Sequence, residues 1–344
     1  MCPLAFRVDG QLRNIEGEAP LQSESTLAAI HALMPEDAVE VYEADRQLDF
    51  AFSWRSHSRF VLTPIFSAVE PALALRLIPA EIPAPEQLGL PEVCQRLVTL
   101  PHGLVLVTGP TGSGKSTSLA AMVQHIARTR PCHILTIEDP VEYLHSSNVA
   151  LVNQREVGED CTSFAQALRA ALREDPDVVL VGELRDLETI ALTLTLAETG
   201  HLVFGTLHTN DSSQTVDRII DVFPTDQQSQ VRTQLSMSLA AVIAQRLIPR
   251  IGGGRVAAFE VLTGSSAVSN LIREGKSRQL RNVIATSSRD GMQLLEQSLS
   301  RLVSEGLVSL EDAKAISMYP DEIVQRPMGA GINGLQPGIA AGQR

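Results

Sequence analysis

Aromatic residues make up only 4% of this 344-residue chain, with a single tryptophan. The interior must therefore be filled mainly by Leu, Val, Ile and Ala. Cysteine is sparse: Cys2, Cys94, Cys132 and Cys161 stand far apart and form no CxxC pair. They read as reduced thiols of a cytosolic protein, most of them buried as small apolar groups. No uninterrupted apolar run reaches the roughly 18 residues expected of a membrane span. The first residues also lack the basic-then-apolar pattern of a signal peptide. Positive charge is in deficit, with a formal net charge of −12. That argues against a broad nucleic-acid-binding surface and leaves open only a local basic channel. What remains is ordinary for a globular protein, at 44% hydrophobic and 20% charged residues.

Organisation follows from pattern changes along the chain. Residues 1–78 predict a small α+β module. "FRVDGQLRNI" has the form of a hairpin turning at Asp9-Gly10. "STLAAIHALM" has helical spacing with Ser25 or Thr26 as N-cap. "LDFAFSW", "RFVLTPIF" and "ALALRLIP" read as strands. The stretch "PAEIPAPEQLGLP", residues 79–91, carries four prolines and predicts a linker. Over 92–263, apolar runs alternate with helical ones. The runs "GLVLVTG", "HILTIED", "VALVNQ", "DVVLVGE", "HLVFGTLH" and "RVAAFEVL" are strand candidates. Helices are expected at 115–129, 163–174, 186–198, 212–222 and 226–247. This alternation predicts an α/β fold on a largely parallel sheet. Residues 264–320 read as a helical subdomain, and the Gly-rich 321–344 as a disordered tail.

The chemistry concentrates in the third segment. "GPTGSGKS", Gly109–Ser116, matches GxxxxGK[ST] between a strand and a helix. Gly109, Pro110, Thr111, Gly112, Ser113 and Gly114 would wrap a polyphosphate with their backbone N–H groups, assisted by the helix N-terminus. Lys115 would reach the β- and γ-phosphates of a nucleotide. Ser116 would ligate Mg²⁺, with Thr117 beside it. "DPDVVLVGE" delivers Glu183 at a strand end, either to polarise the attacking water or to hold Mg²⁺ through water. "TIEDPVEY" places Glu138 and Asp139 after another apolar strand. Both are candidates for Mg²⁺-water coordination or general-base work, and Pro140 ends the strand.

His201 and His208 bracket "LVFGTL". Seven residues of strand would separate them by roughly 23 Å and place them on opposite faces, so they do not share one metal ion. No further ligand residue has suitable spacing. His208, at the strand end, is expected to face the γ-phosphate. His201 is either a second sensor or the cap of the preceding helix.

The ordered segments "GPTGSGKST", "ILTIEDPVE", "LVNQREVG", "ALRAALREDPDVVLVGELRDLETI", "AETGHLVFGTLHTN" and "DRIIDVFP" resemble the secretion-ATPase superfamily of type II secretion and type IV pili. "RLIPRIGGGRVAAFEVLTG", "AVSNLIREGKSRQL" and "DGMQLLEQSLSRLVSEGLVS" are similar to its pilus-retraction branch. The resemblance covers about residues 5–325. It implies a RecA-like P-loop ATPase domain, a PAS-like N-terminal domain and a helical C-terminal subdomain, assembled as a homohexamer with ATP between the two main domains. It further implies Mg²⁺-dependent hydrolysis, docking on an inner-membrane pilus platform protein, peripheral cytoplasmic placement, and paralogous pilus ATPases as further partners. By the same resemblance Lys115 and Ser116 belong to the Walker A loop, Glu138 to the aspartate box, Glu183 to the Walker B strand, and His201 and His208 to the histidine box. Arg185 matches a basic position near the subunit contact.

Three departures stand out. The chain opens at "MCPLAFRVDG", without the helix and "SDLH"-like strand usual in the family, so an open sheet edge is expected. Where the family carries an Arg-rich strand pair, this chain reads "RFVLTPIFSAVEP"; Arg59 survives and later basic positions do not. Ser269 replaces an arginine in "AVSNLIR", while Arg273 remains. A catalytically weak, ATP-binding accessory subunit is therefore the alternative to an active retraction motor.

Overall fold

The run Gly103–Thr108 dictates the architecture. Leu104 and Leu106 pack into one buried cluster and Val105 and Val107 into another. A strand without a polar face must sit inside a sheet covered on both sides. Each such side chain contributes roughly 1.5–3 kcal/mol on burial. A computed structural model describes residues 4–8, 11–34, 36–46, 48, 50–54, 58–66, 71–78 and 81–325. The expected tail falls mostly outside these residues.

Strands β1 (Ala5–Val8) and β2 (Gln11–Asn14) form the expected antiparallel hairpin. Its turn, Asp9-Gly10, lies outside the described residues. Helix α1 (Ser23–Leu33) starts earlier than its sequence suggests, with Gln22 at the N-cap. Thr26 is not a cap, because its hydroxyl bonds back to the Gln22 carbonyl at 3.2 Å, inside the first turn. Helix α2 (Glu36–Asp45) follows, unforeseen because its acidic sequence carries little apolar periodicity. Strands β3 (Phe50–Trp54), β4 (Ser58–Ile65) and β5 (Ala72–Ile78) form an antiparallel sheet. Ile30, Tyr42, Phe50 and Leu62 fill the space between this sheet and the helices.

The proline-rich stretch does more than connect. Ile82 packs with Val61, Ile78, Ala120 and Tyr143, and Leu90 packs on the next core. Helix α3 (Val93–Leu97) leads into β6 (Gly103–Thr108), the phosphate loop and α4 (Lys115–Thr129). Then come β7 (His133–Glu138), β8 (Leu151–Glu156), α5 (Phe164–Ala171), β9 (Val178–Val181) and α6 (Leu187–Glu198). These are followed by β10 (Leu202–Leu207), α7 (Ser212–Asp221), α8 (Gln228–Ser238), β11 (Leu239–Pro249) and β12 (Arg255–Thr263). The seven-stranded sheet has the order β12-β11-β6-β10-β9-β7-β8. Only β12 runs antiparallel to its neighbour. This is the α/β fold expected from the alternation.

One expected helix is wrong in its second half. The chain leaves α8 at Ser238, and residues 239–249 form β11 rather than continuing the helix to 247. "LAAVIAQRLIP" is apolar enough to suit a buried helix or a buried strand, and periodicity alone does not separate them. Pairing on both sides, with β6 and β12, decides for the strand.

The C-terminal helices α9 (Ser266–Arg273), α10 (Leu280–Thr286), α11 (Leu295–Ser304) and α12 (Leu310–Ile316) do not form a separate body. Val268, Ile272, Leu280 and Ile284 join the core on one face of the main sheet. Leu299, Leu302 and Val303 pack with Ile248 and Ala258 of the β11–β12 hairpin. Ile323 is buried in the same cluster, so the packed chain extends past residue 320. Ser269 donates its hydroxyl to the Ser236 carbonyl at 2.6 Å and ties α9 to the end of α8. Of the cysteines, Cys94 is buried but Cys132 and Cys161 only partly so, less than the sequence reading expects. Among the described residues, no helix is long and apolar enough to cross a membrane.

Candidate functional site

In a parallel sheet the carboxyl ends of all strands lie along one edge, where ligands of such folds bind. Register brings the candidate residues to that edge. Thr108 pairs with Leu207, Ile137 with Val181, and Val181 with Gly205. The residues that follow these strands are the phosphate loop, Glu138, Glu183 and His208.

The loop itself is shaped by its glycines. Gly109 has φ +142°, and a Cβ there would lie 2.3 Å from the Gln245 carbonyl oxygen. Gly114, with φ +89°, forms the N-cap of α4. Side chains at either position would be both strained and obstructed. The Ser113 hydroxyl is buried with no hydrogen-bond partner. An orphaned buried hydroxyl within a glycine cradle at a helix N-terminus fits a phosphate group.

Lys115 is nearly buried and donates from Nζ to the carbonyls of Gly109 at 2.9 Å and Pro110 at 3.2 Å. Burial lowers its pKa, while the charges of Glu183 and Glu142 oppose that shift. Its Nζ is also 3.4 Å from Nδ1 of His208. Lysine only donates, so Nδ1 accepts, and Nε2–H faces Oε1 of Glu183 at 3.1 Å. The other Glu183 oxygen meets Arg185 at 2.6 Å. Burial works against the ionised form of Glu183, but Arg185 and then His208 outweigh it and hold the carboxyl below its usual range. Lys115, His208, Glu183 and Arg185 thus form one continuous polar chain. Ser116 is exposed in the first turn of α4. The Thr117 hydroxyl is 2.9 Å from that of Tyr143.

Glu138 sits on the β7 side. Oε1 accepts from Thr136 at 2.7 Å and from Gln154 at 3.2 Å. Burial pushes its pKa up to about 6, against the pull of these donors and of the Glu142 backbone. The folded state therefore holds this proton more tightly than the unfolded chain, and stability falls as pH rises through the window between about 4.5 and about 6. Glu138→Gln removes that penalty. We expect its unfolding free energy at pH 8 to exceed that of the parent by up to about 2 kcal/mol, with no gain at pH 4.5. Denaturant titration at the two pH values checks this. A variant less stable at pH 8 would contradict it. Asp139 is exposed beyond a cis Asp139–Pro140 bond, and its charge reaches Arg185.

His201 is not brought to this edge. It lies before β10, at the opposite end of the strand, and its Nδ1 is 3.0 Å from the Leu196 carbonyl. There it lies against the end of α6, the geometry of a helix cap.

Sequence reasoning missed three participants. Glu142, four residues after Glu138, has its charge felt by Lys115 and pairs with Arg76 of β5 at 3.2 Å. Gln154 of β8 donates to both Glu138 and the Tyr143 carbonyl, at 3.2 and 2.9 Å. Arg76 stands on the same sheet face as its cross-strand neighbour Val61, which is buried against Ala120 of α4. A lone arginine in "ALALRLIP" was the available signal. It adds a guanidinium to the N-terminal sheet besides the Arg59 of "RFVLTPIFSAVEP".

The family model described as "Type II/IV secretion system protein" matches residues 1–315. The chain belongs to this family. It is 49% identical over 93% of its length to a type IV pilus retraction ATPase, PilT, of Pseudomonas aeruginosa, covering 92% of that protein. A twitching motility protein of Neisseria gonorrhoeae is 48% identical over 91% of this chain and 84% of the relative. Among solved structures, that of the pilus retraction motor PilT with bound ADP superposes with a TM-score of 0.83 at 48% identity, covering 93% of this chain and 92% of the other. The loop at Gly109–Ser116, Glu138, Glu183 and His208 all lie within the matched residues.

Proposed function

We propose that this chain is an ATP-hydrolysing motor subunit of type IV pilus machinery, working as a homohexamer to drive pilus retraction. The observation that carries this reading is the single polar chain from Lys115 through His208 to Glu183 on the rim of the phosphate loop. Near-full-length likeness to retraction ATPases supports the pilus assignment.

Phosphoryl transfer needs positioning and charge stabilisation more than covalent help from the protein. The backbone N–H groups of Gly112–Ser116 cradle the β- and γ-phosphates of ATP. Lys115 turns from the Gly109 and Pro110 carbonyls to the phosphates. The Ser116 hydroxyl, with Asp139 through water, would hold Mg²⁺, which when bound neutralises phosphate charge. Glu183, kept ionised, orients the attacking water once Arg185 releases it. Glu138 supplies a second carboxylate, with a pKa close enough to neutrality to take up a proton. His208 contacts both Lys115 and Glu183, and so reports whether a γ-phosphate lies between them.

The N-terminal sheet touches α4 and the aspartate-box segment through Val61, Ile78 and the Arg76–Glu142 pair. Relative movement of the two domains during turnover would act through that contact. Docking on an inner-membrane platform protein, cytoplasmic placement at that membrane and cooperation with paralogous ATPases complete the reading. Nucleic acid has no part in it. An intact set of phosphate-loop and acidic residues favours turnover over the accessory, binding-only alternative.

The test is complementation of a retraction-deficient strain of the source organism lacking this chain. The parent sequence should restore twitching. His208→Ala should bind ATP within about threefold of the parent yet fail to restore motility, because the contact that reads the γ-phosphate is gone. Full motility with His208→Ala, or none with the parent, would overturn the motor reading.

A further inference from the structure

Strand β11 touches the nucleotide site at a point that neither the motifs nor the family boxes include. The Ser118 hydroxyl, in the first turn of α4, donates to Oε1 of Gln245 at 2.8 Å, and both residues are buried. The backbone oxygen of Gln245 lies against Gly109, and its Nε2 lies 2.8 Å from where a Cβ of Gly114 would stand. One residue therefore meets the first glycine of the loop, the last glycine, and the helix that follows. Its neighbours extend the contact. Arg246 donates to Oδ1 of Asn210 at 2.8 Å, two residues beyond His208, and Leu247 with Arg246 lines a cavity of about 300 Å³ against Pro110–Ser113. Ala244 is held in parallel register with Thr108, so Gln245 cannot drift along the loop without breaking the sheet.

We propose that Gln245 is a positioning residue for the phosphate loop. It touches no phosphate. Its backbone carbonyl packs against the first glycine and its buried side-chain amide against the last, and together they fix the direction in which the backbone N–H groups point. This inference rests on the ATP-site reading above. A glycine-rich loop of six residues has many accessible backbone states, and a phosphate-binding shape must be selected by something outside it. The β6–β11 register supplies the rigid side and the Gln245–Ser118 bond the link.

The test is nucleotide affinity across a double-mutant cycle in the full chain. Fluorescent ADP is the probe, and parent ATP turnover is the control for the site reading. Ser118→Ala and Gln245→Leu should each weaken ADP binding by up to about tenfold, the size of one lost net hydrogen bond. The double variant should be no weaker than the weaker single variant, since both remove the same link. Ser118→Thr, which keeps the hydroxyl, should restore affinity to within about twofold. Unchanged affinity in both single variants, losses that multiply in the double variant, or no rescue by threonine would each overturn the proposal. Should Gln245→Leu fail to fold, Ser118→Ala against Ser118→Thr decides alone. If the parent turns over ATP while these outcomes fail, only the positioning role falls.

Discussion

Lys115→Ala should lower ATP turnover at least about 100-fold without lowering the melting temperature. Removal of one charge-stabilising donor from a phosphoryl-transfer or acyl-transfer site commonly costs 10²–10³-fold. Here the donor is also the only lysine in the loop. The second half of the expectation comes from burial. Lys115 is 8% exposed, and burial is the leading cause of its lowered pKa. Its bonds to the Gly109 and Pro110 carbonyls offset that cost. Alanine removes the charge and the desolvation cost together, so folding loses little. Phosphate release and thermal denaturation on the same preparation separate the two effects. A variant that keeps more than a tenth of parent turnover would contradict the role. A large drop in melting temperature would show that the lysine instead serves as a structural strut.

The difference between legible and illegible parts of the site is one of sequence distance. Lys115, Glu138, Glu183 and His208 each end an apolar run, and a parallel sheet brings the ends of such runs to one edge whatever the details of packing. Gln245, Gln154 and Arg76 reach the site only because particular strands pair with particular neighbours. Gln245 was hidden by the assignment of 239–247 to a helix, in which its side chain would have had no fixed relation to the loop. Arg76 depends on how the N-terminal sheet sits on α4, which no local pattern encodes. His201 fails in the opposite sense. It lies seven residues before His208 in sequence, yet six residues of strand carry it to the far edge, where its ring meets the Leu196 carbonyl at the end of α6. Proximity in sequence along a strand is separation in space.

The N-terminal contact bears on catalysis as well as on motion. Val61 is buried on α4 where a charged residue would have to be desolvated, and Arg76, its cross-strand partner, carries the charge instead to the partly buried Glu142. Arg76 is 64% exposed, so the ion pair adds little stability. Its value lies in position, since Glu142 is also one of the two carboxylates that act on Lys115. The N-terminal sheet therefore meets the charge network around Lys115 at Glu142.

Glu183→Gln should abolish turnover while leaving ATP bound. The carboxylate now receives Arg185 on one oxygen and His208 on the other, and these contacts keep it ionised despite burial. An amide is close to it in size and keeps an oxygen to accept from one partner, but it cannot take a proton from water or carry the charge that orients the attack. The loss in kcat should reach at least about 100-fold. Affinity for ATP should hold or rise, because one negative charge leaves the rim on which the γ-phosphate must settle. The Arg185 side chain is 68% exposed, so water replaces the lost carboxylate and its release costs the fold little. Rapid filtration with labelled ATP, followed by the ratio of ATP to ADP retained on the protein, reads both effects at once. Retained ADP would mean that another carboxylate, Glu138 or Glu142, orients the water and that Glu183 serves only to hold His208 and Arg185 in place. Retained ATP with no product assigns the hydrolytic step to Glu183.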